Sequence, residues 1–128
     1  MQHDQFVGQV QHRAELASRG QAEAAIRAVL ETLAERLQPA SAAHIAAQLP
    51  TEIAIHLTTS HEFEHLPIEA FYRYVAQRER VRVDEAALHV AAVFETLRDA
   101  LTPGAVRKLT GQLPHEYRDL LETKEFVF

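Results

Sequence analysis

One stretch of this chain is written twice. Residues 28–52 read AVLETLAERLQPASAAHIAAQLPTE, and residues 92–116 read AVFETLRDALTPGAVRKLTGQLPHE. The offset is 64 with no gap from Gln21 onward, and it pairs Ala28 with Ala92, Thr32 with Thr96, Leu33 with Leu97, Gln48 with Gln112 and Pro50 with Pro114. Upstream the offset is 65, pairing Phe6 with Phe71, Val10 with Val75 and Arg13 with Arg78, so one extra residue sits between Ala14 and Gly20. A repeat of this length constrains the fold more than any other feature. Each copy is one supersecondary unit whose apolar surface needs a neighbour to cover it.

Each unit reads as four helices. The first spans residues 4–13, with Phe6, Val7 and Val10 as its apolar face, and its partner spans 67–78, with Phe71, Tyr74 and Val75. The second is long. Ala22, Ile26, Val29, Leu30, Leu33 and Leu37 recur at helical period and form one stripe, matched by Ala86, Val90, Val93, Phe94, Leu97 and Leu101. Ser18 with Gln21 fits a capping box, and Asp84 is a natural N-cap for the second copy. A proline opens the third helix at Pro39 and at Pro103, where a missing N–H leaves no bond unmade. Leu49 and Leu113 precede prolines, which disfavours the α conformation and ends that helix. The fourth starts at Pro50 or Pro114. No alternating pattern supports a strand. The expected fold is all-α: a helical bundle of two tandem four-helix repeats related by a pseudo-twofold, sharing one core. The chain then forms a single domain, with repeats over about residues 4–59 and 67–123, a linker over 60–66 and a tail over 124–128.

This order of motifs resembles the bacterial proteins grouped as domain of unknown function 2267. The resemblance runs from about residue 5 to 122. It rests on Phe6, Val10, residues 28–33 and 48–50, and on their second copies Phe71, Val75, residues 92–97 and 112–114. It implies the fold. That family carries no established catalytic residues, so it implies no site.

Composition excludes several classes. There is no cysteine, which removes disulfides and thiolate metal sites. No apolar run approaches the roughly 20 residues that span a bilayer, and the first residues, MQHDQFVGQ, lack the pattern of a signal peptide. The expected address is the cytoplasm. The net charge of −5 argues against general attraction to nucleic acid. The one basic cluster, Arg78, Arg80 and Arg82 with Arg73 nearby, reads as a solvated helix end before it reads as a phosphate patch.

The motif with the sharpest chemical spelling is "HEFEH", residues 61–65. In a zinc peptidase, two histidines one turn apart converge on the metal and the glutamate between them activates water. His61 and His65 have the spacing and Glu62 the position. Pro67 breaks any helix running through them, Ile68 and Phe71 stand where an extended motif needs glycine and histidine, and no third ligand is specified. Eight histidines and fourteen glutamates make the spelling alone weak. The expectation is a polar linker, with no catalytic residue and no cofactor. His89 reads as a hydrogen-bonded flank of the long helix. Glu52 and Glu116 read as carboxylates facing a helix dipole, and Gln48 and Gln112 as caps for free carbonyls at a helix end. Phe126, Val127 and Phe128 follow a polar stretch and form the candidate contact surface.

The function these residues favour is a non-catalytic interaction module, with another protein or a second copy of the chain as its partner. It would work by helix-face recognition, with apolar anchors in a groove. The alternative is a metal-binding protein or metal-dependent hydrolase built on His61, Glu62 and His65.

Overall fold

A computed structural model describes residues 1–58 and 67–121. The described residues are helical with short connections, and no strand occurs among them. In chain order the helices are α1 (His3–Arg13), α2 (Arg19–Ala34), α3 (Pro39–Ala46), α4 (Thr51–Ala54), α5 (Ile68–Glu79), α6 (Val83–Ala100), α7 (Pro103–Gln112) and α8 (Arg118–Leu121). A 3-10 turn follows α4 at Ile55–Leu57, and another precedes α8 at His115–Tyr117. The fourth element of each half is thus split between α and 3-10 geometry, in opposite order.

The local signals act as the residues require. Ser18 Oγ accepts from Gln21 N at 3.2 Å, and Gln21 Oε1 accepts from Ser18 N at 3.2 Å, closing the box that starts α2. Thr102 Oγ1 accepts from Ala105 N at 3.2 Å, and Pro103 takes the first position of α7. One cap is corrected. α6 begins at Val83 with Arg82 as N-cap, so Asp84 lies inside the first turn. There its carboxylate faces the helix dipole and pairs with Arg82 at 3.2 Å.

Among the described residues two non-glycine residues have positive φ, Glu15 at 53° and Arg80 at 62°. Both follow a first-type helix and allow the chain to turn back. Leu16 N donates to Gln11 O at 2.9 Å and Val81 N to Ala76 O at 3.1 Å, which is the six-residue closure of a Schellman end. A β-carbon in this conformation costs about 1 kcal/mol. Arg80→Gly is expected to raise stability by about 0.5–1 kcal/mol, as read by urea denaturation. A loss of stability would mean that the Arg80 side chain contributes more than the turn geometry takes away.

Buried residues of both halves form one continuous apolar cluster, from Phe6, Val10, Ile26 and Leu33 to Phe71, Val90, Phe94, Leu97 and Tyr117. Leu33 and Leu97, the centres of the two long stripes, are both 0% exposed. Phe71 packs edge-on against Phe94, with ring centroids 6.0 Å apart, and against Tyr117 at 5.4 Å. α2 packs against α6, α1 packs against both, α5 does the same, and α3 meets α7.

Polar bonds across the halves come in matched pairs. Arg13 donates to Thr96 Oγ1 at 3.0 Å and pairs with Asp99. Arg78, 65 residues on, donates to Thr32 Oγ1 at 2.8 Å and pairs with Glu35. Each threonine also donates to the carbonyl four residues back, Thr32 to Ala28 and Thr96 to Ala92. Gln48 Oε1 accepts from Thr102 N at 2.9 Å, and Gln112 Oε1 accepts from Gln38 N at 3.3 Å. This corrects the expected role of the glutamines. They cap no carbonyl of their own helix. Each takes the N–H that an N-cap residue of the other half would otherwise leave unpaired.

Candidate functional site

A cleft of about 340 Å³ opens between α1, α2 and α4. Val7, Ile26 and Ile53 form its apolar floor, and His3, Glu23, Arg27, Glu52 and His56 form its rim. His3 Nδ1 lies 3.5 Å from Glu52 Oε2. Arg27 pairs with Glu31 at 2.9 Å, one helical turn on. Burial is the main cause holding the His56 imidazole below its ordinary range, with Glu31 opposing and Arg27 adding to the effect. The rim therefore carries acidic and basic side chains together.

In sequence, the residues 64 or 65 positions on differ in character from those that line this cleft. Ile68 stands for His3, Tyr72 for Val7, Ala87 for Glu23, Leu88 for Ala24, Ala91 for Arg27 and Leu120 for His56. Four chargeable positions have become apolar. Glu116 stands for Glu52, and its Oε1 accepts from Ile68 N at 2.8 Å, tying the 3-10 turn to the start of α5. That bond gives Glu116 a partner beyond the helix dipole. Ile68, Tyr72 and Leu120 pack partly buried against the core. Burial raises the Tyr72 hydroxyl above its ordinary range, with Glu69 and Glu116 adding to the shift. Leu88, one turn of α6 from Ala91, is 66% exposed, and Val83 at the start of that helix is also exposed.

Two buried polar features are found in the second half or face it. His89 Nδ1 lies 2.5 Å from Glu79 Oε2, both side chains buried, where the first half has Ala25 and Ala14. His89 is thus a buried residue on the flank of its helix, set against a carboxylate. Arg36, 1% exposed, holds its guanidinium 5.9 Å from the Phe71 ring centre and 5.6 Å from that of Tyr74. Among the described residues no carboxylate pairs with it, and the aromatic faces supply the attraction that a cation can still find there. Burial pushes the nearby Tyr117 hydroxyl up to about 12, against the pull of Arg36. Ala100 stands for Arg36 in the other repeat.

The expected site residues are distributed as follows. His61, Glu62 and His65 lie outside the described residues, and so do Phe126, Val127 and Phe128. Among the described residues, no three His, Asp or Glu side chains gather as a metal site would require. The basic cluster is divided: Arg78 pairs with Glu35, while Arg82 pairs with Asp84 and Glu85. Ala87, Leu88 and Ala91 lie off the core stripe of α6, so helical periodicity does not mark them, whereas the exchange of Glu23, Ala24 and Arg27 for them between the repeats does. Among the described residues, no helix is long and apolar enough to cross a membrane.

The geometry defines a class first: an all-α protein with one apolar core, two matched sets of cross-half bonds, and one face that differs between the halves. Residues 3–120 match the family described as uncharacterized conserved protein (DUF2267), and the chain belongs to that family. No curated protein matches the chain.

Proposed function

We infer that the chain is a single domain made of two copies of one four-helix unit about a pseudo-twofold axis. We infer further that it acts without catalysis, by binding another protein or a second copy of itself. The matched bonds of Arg13 and Arg78, and those of Gln48 and Gln112, support the symmetry, since each joins its own half to the equivalent place in the other. The observation that carries the binding function is the contrast between the two faces. Where the first half carries His3, Glu23, Arg27 and His56, the second carries Ile68, Ala87, Ala91 and Leu120, and core packing accounts for Ile68 and Leu120 but leaves Leu88 exposed. Apolar side chains held on a rigid helix face, with Leu88 the most exposed, suit docking of a partner's apolar anchors.

The repeat supplies its own control. Leu88→Arg is expected to abolish binding while leaving the fold intact, and Ala24→Arg at the equivalent charged face is expected to leave binding unchanged. Sedimentation velocity over a concentration series reads self-association. Affinity capture from the native cell, compared among wild type and the two variants, reads a heterologous partner. Equal behaviour of the two variants would overturn the assignment. So would stoichiometric zinc binding by chelator-treated protein, which would return His61, Glu62 and His65 to the lead.

A further inference from the structure

We propose that Arg36 holds a small monovalent anion, a halide or a carboxylate, against its guanidinium and the hydroxyl of Tyr117. This site goes beyond the binding of a macromolecule inferred above and stands without it. Arg36 lies two residues past the end of α2 and is 1% exposed. Its Nε, Nη1 and Nη2 are all withdrawn from water, and among the described residues none of them has a hydrogen-bond partner. An arginine cannot escape this position by losing its proton, because its side chain stays charged in a folded protein. The rings of Phe71 and Tyr74, centred 5.9 and 5.6 Å from the guanidinium carbon, offset part of the charge. Their faces attract the cation but do not satisfy the five N–H groups of its fork. A buried charge is stable when it is both paired and hydrogen-bonded. An anion on the fork supplies both at once.

The neighbouring groups define the anion's charge. The Tyr117 hydroxyl lies near enough to feel the guanidinium, and burial pushes it up to about 12. It therefore keeps its proton at neutral pH and can donate to an anion that Arg36 holds. Tyr72 acts on Tyr117 in turn, and burial raises its hydroxyl as well. Of the charged groups that act on Tyr117, Arg36 is the cation and Glu116 the acid. Glu116 Oε1 already accepts from Ile68 N at 2.8 Å, and Glu116 forms no ion pair with Arg36. One cation with neutral hydroxyl donors balances one negative charge. Phosphate or sulfate would bring a second charge to a place where the fixed neighbour, Glu116, is itself negative. Tyr74, 41% exposed, is the wall of this place that reaches solvent.

Tyr72, Tyr74 and Tyr117 are the chain's three tyrosines, and it has no tryptophan, so tyrosine emission reports this place. Full-length protein is unfolded in urea and refolded by dialysis into Bis-Tris sulfate, which removes any anion carried from the cell. Sodium chloride and sodium acetate are then titrated separately at constant ionic strength. The expected result is a saturable change in emission with at least one of them, and a melting temperature that rises with the logarithm of its concentration. Arg36→Met, which keeps an apolar stem without the charge, is expected to lose both responses. Tyr117→Phe, which keeps the ring, is expected to weaken binding about tenfold. A response to chloride alone assigns the site to a free halide, one to acetate alone assigns it to a carboxylate ligand, and one to both assigns it to either. No saturable response in wild type would mean that the charge is met within the chain, and would overturn the proposal. An equal response in Arg36→Met would be a general salt effect and would also overturn it. Circular dichroism confirms that each variant folds. If Arg36→Met does not fold, Tyr117→Phe decides, and an affinity equal to that of wild type would overturn the proposal.

Discussion

Leu33→Ala and Leu97→Ala each lower the unfolding free energy by about 2–5 kcal/mol, and each variant melts in one transition. Both leucines are fully buried at the centres of their stripes, α2 and α6. Truncation removes the transfer energy of the lost methyl groups and leaves a space that rigid helices close only in part. The size of the loss follows from burial, and the single transition follows from connectivity. α2 packs against α6, and the apolar cluster runs through both halves without a break. A cavity on either side of that contact weakens the packing of both helices. Urea denaturation followed by far-ultraviolet circular dichroism measures both quantities. Two separate transitions in either variant would mean that each repeat holds a core of its own.

Arg13→Ala and Arg78→Ala come next in size, at about 1.5–3 kcal/mol each, the range for a hydrogen bond to a charged group. Each guanidinium joins a threonine and a carboxylate of the opposite half: Thr96 and Asp99 for Arg13, Thr32 and Glu35 for Arg78. Removing the arginine leaves the carboxylate in a place partly withdrawn from water, so the loss exceeds that of an exposed ion pair. Glu35 is the less exposed of the two acids, and Arg78→Ala is expected to show the larger loss. Lysine rescues neither position in full, because one ammonium cannot reproduce the forked donation to hydroxyl and carboxylate together. Denaturation midpoints of the alanine and lysine variants decide it. A loss below about 0.5 kcal/mol for both alanine variants would reduce these contacts to surface pairs.

The fold was legible because its local signals are strong and agree with one another. Stripes at helical period placed α2 and α6, Ser18 with Gln21 and Thr102 with Pro103 marked two helix starts, and prolines after Leu49 and Leu113 marked two ends. Such signals lie within a few residues of one another. Contacts between the halves do not. Nothing local to Gln48 says that its acceptor serves the N–H of Thr102, so local chemistry points only to its own helix end. Asp favours a cap position, which points to Asp84, yet the chain leaves its left-handed turn at Arg80 and enters the helix at Val83, two residues sooner than a cap at Asp84 implies. The apolar face is an intermediate case. No periodicity marks Leu88, which is off the stripe, but setting the second copy against the first shows charges replaced position by position. The residues singled out for metal chemistry, His61, Glu62 and His65, and those singled out for contact, Phe126, Val127 and Phe128, fall outside the described residues. Sequence chemistry carried those assignments alone.

The claim on which the rest depends is that two equivalent units share one cooperative core while differing at one face. Native-state hydrogen exchange of Leu33→Ala tests it most directly, because the amides of α2 and α6 report each half separately. If the core is shared, the slowest amides of both helices lose the same free energy of protection, equal to the loss measured by global denaturation. If α6 keeps wild-type protection while α2 exchanges faster, the halves are independent and the symmetry is one of sequence only.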